Sequence, residues 1–313
     1  MEESTISQGV VLIGSRGSRL ALAQANWVAG ELSRRRPDRS FQIKTITTKG
    51  DVHRDLPFAR VGGKGIFTKE IEQALLAGEV ALAVHSMKDL PTDLHPDLTI
   101  GAVPAREDPH DVLISRTPGG LDALPKNARI GTSSLRRRAQ LLAVRPDLEI
   151  QEFRGNLDTR LRKLAEGGLD AIVVAHAGLN RLSVRPQNMQ PLPFEVMLPA
   201  VGQGALAVEV RKDDSEASRL VAAMDDATTR RCVEAERALL AGLEGGCQVP
   251  IGAIAETEGA TLRLRAVICS LDGRTVIRGE LRGNASDATQ IGSNLAKKLR
   301  AEGAAAILAS IRS

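Results

Sequence analysis

Two short segments hold side chains able to make or break bonds. In Ala83-Val84-His85-Ser86-Met87-Lys88-Asp89-Leu90-Pro91 an apolar run delivers a hydroxyl, an ammonium and a carboxylate onto the loop that follows it. Open α/β sheets place their ligands at such carboxyl-end loops. Beside Lys88 and the arginines of the chain, Asp89 is expected to act as a carboxylate. It could then stabilise a cation or accept a hydrogen bond from a ring N–H; a plain loop salt bridge fits the spacing as well. In Leu243-Glu244-Gly245-Gly246-Cys247-Gln248-Val249-Pro250 a glycine-hinged turn presents a thiol that could act as a covalent anchor or nucleophile. The other two cysteines, Cys232 and Cys269, fall in a predicted helix and strand and read as small hydrophobes. No His or Asn stands near Cys247 in a protease-like arrangement, so nothing points to a cysteine hydrolase.

Cations form the second signal. Between Arg129 and Arg185 lie 11 basic and 6 acidic residues, an excess of five against +4 for the whole chain. Ten of those 11 are arginine, the residue suited to bidentate recognition of carboxylate or phosphate. Arg162 and Lys163 read as a solvated helix face, whereas Arg136, Arg137, Arg154 and Arg181 sit at element boundaries, where loops build sites. Two helix starts, at Ser18 and Ser134, combine a hydroxyl with adjacent Arg16, Arg136 and Arg137, and helix N-termini attract anions. Capping explains each serine; it does not explain arginine beside both. Neither turn fits GxxxxGK[ST] or GxGxxG, which disfavours nucleotides. Gly62-Gly63-Lys64-Gly65 reads, by itself, as a surface loop. His85 and His176 follow apolar strands without metal-ligand spacing, so packing, or a supporting role behind a ligand-binding residue, is expected and no metal.

These groups need strands and helices to hold them. Val10 to Ile13, Phe41 to Thr47 and Val80 to Val84 read as strands, with helices from Ser18 to about Arg36 and from Thr68 to Leu76. The pattern repeats with strands Ala128 to Gly131, Leu148 to Glu152 and Asp170 to Ala175, and helices Leu135 to Val144 and Asn156 to Glu166. IGSRGSRL and IGTSSLRR thus both set a Gly/Ser turn between strand and helix. The alternation predicts largely parallel sheets covered on both faces, in two similar doubly wound α/β domains. Asn188 to Pro199 reads as a connection and Ala205 to Val210 as a strand. Two helical stretches follow, then a hairpin around Asp272-Gly273 and a closing helix, a small α+β C-terminal domain.

Composition narrows the classes. With 313 residues, 42% of them apolar, the chain can fill two or three cores. One Trp, five Phe and no Tyr argue against base-stacking nucleic-acid modules, so no nucleic-acid partner is expected in spite of the basic balance. No apolar run reaches the length of a membrane span, and no membrane partner is expected. The acidic, polar opening MEESTISQG resembles no targeting peptide, which leads us to expect a cytoplasmic protein with reduced thiols.

The blocks IGSRGSRLALAQ, TKGD, VGGKGIFTKEIEQALLAGEVALAVHSMKDLPT, REDPHDVLIS, IGTSSLRRRAQL, RGNLDTRLRKL, AGLNRL, LPAVGQGAL and LEGGCQVPIG resemble, in order, those of the porphobilinogen deaminase (hydroxymethylbilane synthase) family. The resemblance implies a transferase that joins four porphobilinogen molecules head-to-tail, with loss of ammonia, into the linear tetrapyrrole hydroxymethylbilane, and which acts as a monomer. It implies a dipyrromethane cofactor on a thioether to Cys247. Asp89, with Lys88, would be catalytic, holding pyrrole nitrogens and the cationic azafulvene formed as ammonia leaves. Ser86, Lys88, Asp89, Ser134, Arg136 and Arg137 would hold the cofactor. Arg16, Ser18, Lys64, Phe67, Arg154, Arg160 and Arg181 would hold substrate. It also implies solute-binding-protein-like domains flanking a cleft: residues 1–104 with 205–222, then 105–204, then 223–313 carrying the cysteine.

Overall fold

The structure, a computed structural model, describes residues 9–52, 65–244 and 249–312. The chain forms two compact units. The first runs to Arg106 and resumes over Ala205–Arg230; the second takes Glu107–Gly204 and the chain from Arg231 onward.

The first unit is built on a five-stranded sheet of order β2-β1-β3-β10-β4, formed by β1 (Val10–Ser15), β2 (Ser40–Thr45), β3 (Leu82–Ser86), β4 (Leu98–Ala102) and β10 (Leu206–Arg211). Helix α1 (Arg19–Arg35) starts at Ser18, whose Oγ accepts the Ala21 N–H at 3.2 Å, a side-chain cap for one of the free N–H groups of the first turn. It lays Ala25, Val28 and Leu32 on the sheet, at one-face helical spacing. Helix α2 (Lys69–Leu76) covers the opposite face with Ile71, Ala74 and Leu75. Thr68 precedes it as expected, but its hydroxyl makes no cap bond.

The second unit repeats this plan. Its sheet has order β7-β6-β8-β5-β9, from β5 (Asp111–Ser115), β6 (Arg129–Gly131), β7 (Glu149–Gln151), β8 (Ala171–Ala175) and β9 (Met189–Pro191). Helices α3 (Leu135–Val144), α4 (Leu157–Ala165) and α5 (His176–Arg181) connect them. Caps again set the starts: Ser134 Oγ accepts from Arg137 N at 3.4 Å and Asn156 Oδ1 from Thr159 N at 2.9 Å.

Both sheets are mixed rather than largely parallel. β1 runs parallel to β2 and β3, and β6 to β7 and β8, whereas β10 and β5 run antiparallel to both of their neighbours. Every residue of β5 is buried, as are Leu206 to Val210 of β10. A strand covered on both faces reads as a near-continuous apolar run, here broken by Asp111 and Ser115 in β5 and Glu209 in β10, and carries no signal of its direction. The segment expected to be a mere connection contains β9, an edge strand on β5, the position where Pro191 costs no ladder bond.

After α6 (Ser215–Ala222) and α7 (Ala227–Gly242) comes a third sheet, β11-β12-β13, rather than a two-stranded hairpin. Its strands are β11 (Ile251–Glu258), β12 (Thr261–Cys269) and β13 (Val276–Asn284), followed by α8 (Ala288–Leu299) and α9 (Ala305–Arg312). α7 and α8 cover one face; on the other, Ile254, Val267 and Cys269 pack against Ala139 of α3 and Leu198. Among the described residues no helix is long and apolar enough to cross a membrane.

Candidate functional site

In the first unit, β3 ends at Ser86 and the chain turns through a single 3-10 turn, Met87–Asp89. Two buried side chains, Met87 and Leu90, fix that turn, and Met87 N donates to Ala205 O at 3.0 Å while Leu90 N donates back to Met87 O at 3.2 Å. Lys88 and Asp89 are left half-buried between them. Asp89 makes no hydrogen bond or ion pair with any other described residue, which removes the loop salt bridge as an explanation of its spacing. Below the turn, buried His85 places Nε2 3.1 Å from Glu209 Oε2 on β10, a packing role like the one expected. Ser86 Oγ accepts from Gln24 Nε2 at 2.9 Å.

Arg16 lies in the turn before α1. Its Nη2 and Nε donate to Asp51 at 2.7 and 3.2 Å, and its guanidinium sits 4.1 Å from the centre of the Phe67 ring, within cation–π range. Burial alone would raise the Asp51 carboxyl, but Arg16 and the Thr48 hydroxyl hold it below the usual carboxylate range. Phe67 is thus an aromatic platform for an arginine, and Ser18 is a helix cap. Asp51 stands in TKGD, and sequence reasoning gave it no role. A carboxylate so far from Arg16 in the chain shows its partnership only once the fold brings the two together.

In the second unit the arginines divide into two kinds. Arg136 and Arg137 are buried and bound to a fully buried carboxylate, Asp111 of β5. Arg136 Nη1 donates to Asp111 Oδ2 at 2.6 Å and to Leu198 O at 2.7 Å. Arg137 donates Nη2 and Nε to Asp111 Oδ1 at 2.7 and 3.0 Å and Nη1 to Val173 O at 2.9 Å. Gln203 Nε2 completes the set at 3.1 Å. Burial opposes ionisation of Asp111, yet the two guanidiniums hold its carboxyl far below the ordinary range. Ser134 caps the same helix. Sequence reasoning missed Asp111; its signal was an acid opening an otherwise apolar strand, DVLIS.

Arg160 and Arg181 are of the other kind. Arg160 Nε donates to Gly155 O at 2.9 Å and Arg181 Nη2 to Gly204 O at 2.7 Å; among the described residues neither has a carboxylate partner at ion-pair distance. Burial, with the positive charges of Arg137 and Arg154 close by, pushes Arg160 down to about 10, and burial does the same to Arg181. Both stay cationic at neutral pH. Arg154 Nε donates to the exposed Glu152 at 2.8 Å. The fold therefore gathers Arg137, Arg154 and Arg160 into one field of like charge, a place that favours an incoming anion.

Lys64 and Cys247 lie outside the described residues. The two described cysteines are buried, Cys232 on α7 and Cys269 on β12, and burial pushes the Cys269 thiol up to about 11, leaving it protonated and unreactive.

The family model described as "Porphobilinogen deaminase, dipyromethane cofactor binding domain" matches residues 11–219. The model described as "Porphobilinogen deaminase, C-terminal domain" matches residues 230–301. The chain is similar over nearly its whole length to several proteins named porphobilinogen deaminase. That of Desulforudis audaxviator is 53% identical over 302 residues, covering 96% of this chain and 98% of the relative. That of Syntrophus aciditrophicus is 52% identical over 287 residues, covering 92% and 94%. A third, from Pelotomaculum thermopropionicum, is 51% identical over 302 residues, covering 96% and 97%.

Proposed function

The chain belongs to the porphobilinogen deaminase family, and from that premise we propose how its residues divide the work of the reaction. The enzyme is a transferase, hydroxymethylbilane synthase, which deaminates four porphobilinogen molecules and joins them head-to-tail on a dipyrromethane cofactor in tetrapyrrole biosynthesis.

Asp89 carries the chemistry. Ammonia leaves the substrate side chain and a positive charge is left on the pyrrole; a carboxylate with no partner among the described residues is available to accept the ring N–H and to face that charge. Lys88 and Ser86 hold acidic substituents beside it, with Ser86 fixed by Gln24. The observation that carries this reading is the Asp89 carboxylate, without a partner among the described residues and half-buried on a turn fixed by buried Met87 and Leu90 at the carboxyl end of β3.

The residues present fit dipyrromethane. Two linked pyrroles bring ring N–H donors and several carboxylates; among the described residues Asp89 has no donor partner, and Arg160 and Arg181 have no carboxylate partner at ion-pair distance. When bound, the cofactor supplies the pyrrole carbon to which substrate is joined. Cys247 holds it by a thioether, a reading supported by the burial of Cys232 and Cys269. Arg16 and Ser18 in the first unit, helped by Lys64, and Arg154, Arg160 and Arg181 in the second hold the acetate and propionate groups of substrate and chain, while Phe67, which stacks on Arg16, is the ring that lies over a pyrrole. Ser134, Arg136 and Arg137 serve the cofactor end. Because Arg136 and Arg137 are engaged by Asp111, they contribute a fixed positive potential at the start of α3. Covalent retention keeps the growing end near one carboxylate, replacing repeated encounters by an intramolecular step.

We place the enzyme in the cytoplasm as a monomer; the biosynthetic role of the family supports the location, and light scattering of the purified protein tests the assembly. Intact mass tests the tether. The purified chain weighs 33.4 kDa plus two pyrrole units, Cys247→Ser shows the bare chain alone, and added porphobilinogen produces further discrete increments. A bare mass for the unmodified protein rejects the assignment.

A further inference from the structure

His176 opens α5, the short helix that ends in Arg181, and the chemistry described so far gives it no task. Its Nδ1 lies 2.7 Å from Asp108 Oδ2. The other oxygen of the same carboxylate, Oδ1, takes the ring of His110 at 2.6 Å and the His110 backbone N–H at 2.8 Å. Burial would raise the Asp108 carboxyl, but these N–H donors hold it below the usual range. It is therefore an ionised, acceptor-only group, and both imidazoles must present Nδ1–H to it. The backbone adds His176 N to His110 O at 3.0 Å.

The same segment grips the far end of α5. Glu107 Oε1 accepts from Asn180 Nδ2 at 2.9 Å and from Asp108 N at 2.9 Å. Gly204 O accepts from Glu107 N at 3.1 Å and from Arg181 Nη2 at 2.7 Å. Residues 107–110 thus hold α5 at its first residue through His176 and at its last turn through Asn180, and they share with Arg181 the carbonyl that orients its guanidinium. The His110 ring is in turn stacked on Phe194, centroids 4.1 Å apart and planes 5° apart, and Arg265 of β12 lies 5.0 Å from the centre of that ring. The clamp is anchored on the third sheet.

We propose that Asp108, bridging His110 and His176, is a positioning clamp that sets the helix carrying Arg181 and so tunes the grip of Arg181 on a substrate carboxylate. His176 and Asp108 are positioning residues, which act through the placement of α5. The proposal rests on the reading that Arg181 binds carboxylates.

A double-mutant cycle on the full-length, cofactor-loaded enzyme separates the two, with ammonia release from porphobilinogen as the readout. His176→Ala raises KM about tenfold with kcat within about threefold, the pattern of lost binding rather than lost chemistry. Arg181→Ala raises KM at least as far, and the double variant is no worse than Arg181→Ala alone, because the clamp has nothing left to position. His176→Asn, whose side-chain N–H reaches the same carboxylate, returns KM to within about twofold of the parent. Additive effects of His176→Ala and Arg181→Ala, or a KM for His176→Ala equal to the parent's, overturn the clamp while leaving Arg181 as a ligand. An unchanged KM in Arg181→Ala overturns the carboxylate reading itself. A His176→Asn variant that melts like the parent yet keeps the raised KM shows that the hydrogen bond is not what matters, and also overturns the clamp.

Discussion

Asp89→Asn removes a charge and almost nothing else. The amide has nearly the shape of the carboxylate, and since Asp89 makes no hydrogen bond or ion pair with another described residue, no internal contact is lost. The fold should not register the change: substitutions of this kind stay within about 0.5 kcal/mol, about 2 °C or less in melting midpoint for a chain of this size. The reaction should register it strongly. A unit positive charge developing about 4 Å from the carboxylate is stabilised by about 4 kcal/mol at an effective dielectric of 20. With tenfold in rate for each 1.36 kcal/mol, kcat falls about a thousandfold. Asp89→Glu keeps the charge but displaces it by one methylene, and misplacement of about 1 Å costs up to about a hundredfold, so it should fall between the parent and Asn. Initial rates of ammonia release and scanning calorimetry on the same preparations decide the matter. Asp89→Asn turning over within tenfold of the parent refutes the charge argument. A fall of many degrees in melting midpoint alongside the lost rate refutes the claim that Asp89 is free of structural duty.

Arg160→Leu should stall elongation, with discrete enzyme-bound species accumulating in native mass spectra; a uniform slowing without such species counts against an arginine field that accommodates the growing chain. Asp111→Asn leaves Arg136 and Arg137 buried without their counter-charge, at a cost of about 3–5 kcal/mol, or about 6–20 °C in the melting of the second unit; a shift under 2 °C would show that the triad contributes little. Because the Asp111 carboxyl is depressed in the folded state, its contribution is complete at neutral pH and declines as pH falls below the unfolded carboxyl value of about 4. Acid melts should therefore show parent and Asp111→Asn converging below pH 4, and a constant gap between them contradicts the linkage.

Much of this architecture is written in local sequence. Ser18, Ser134 and Asn156 predict three helix starts because a cap is a matter of a few neighbouring residues, and in the structure each accepts the N–H three residues on. What escaped is what depends on partners distant in the chain. β4 and β5 are short, mostly apolar runs without helical or alternating period, and the direction of β5 and β10 is set by the route of the chain, which no window of residues records. The same holds at the site. Asp89 could be singled out because its loop follows an apolar strand, but that it has no partner among the described residues is visible only in the fold. Arg136 and Arg160 look alike in sequence; an acid 25 residues before Arg136 binds it, and no acid in the described chain does so for Arg160.

The repeated sheet explains why the two kinds of chemistry sit where they do. β3 and β8 occupy the same place in the two orders, each parallel to the strand before the capped helix and antiparallel to the intruding strand. From β3 the chain leaves through a single 3-10 turn that ends on Asp89; from β8 it leaves through α5, which ends on Arg181. One scaffold, used twice, thus delivers an acid from one copy and a cation from the other. The acid is held by the buried neighbours Met87 and Leu90 and needs no ion pair, which leaves its charge available. The cation stands one helix further out and needs hydrogen bonds at both ends of that helix, supplied by Glu107 and Asp108. On the roles proposed above, catalysis and recognition can then change separately, since substitutions around α5 would reach substrate affinity without passing through the turn that holds Asp89.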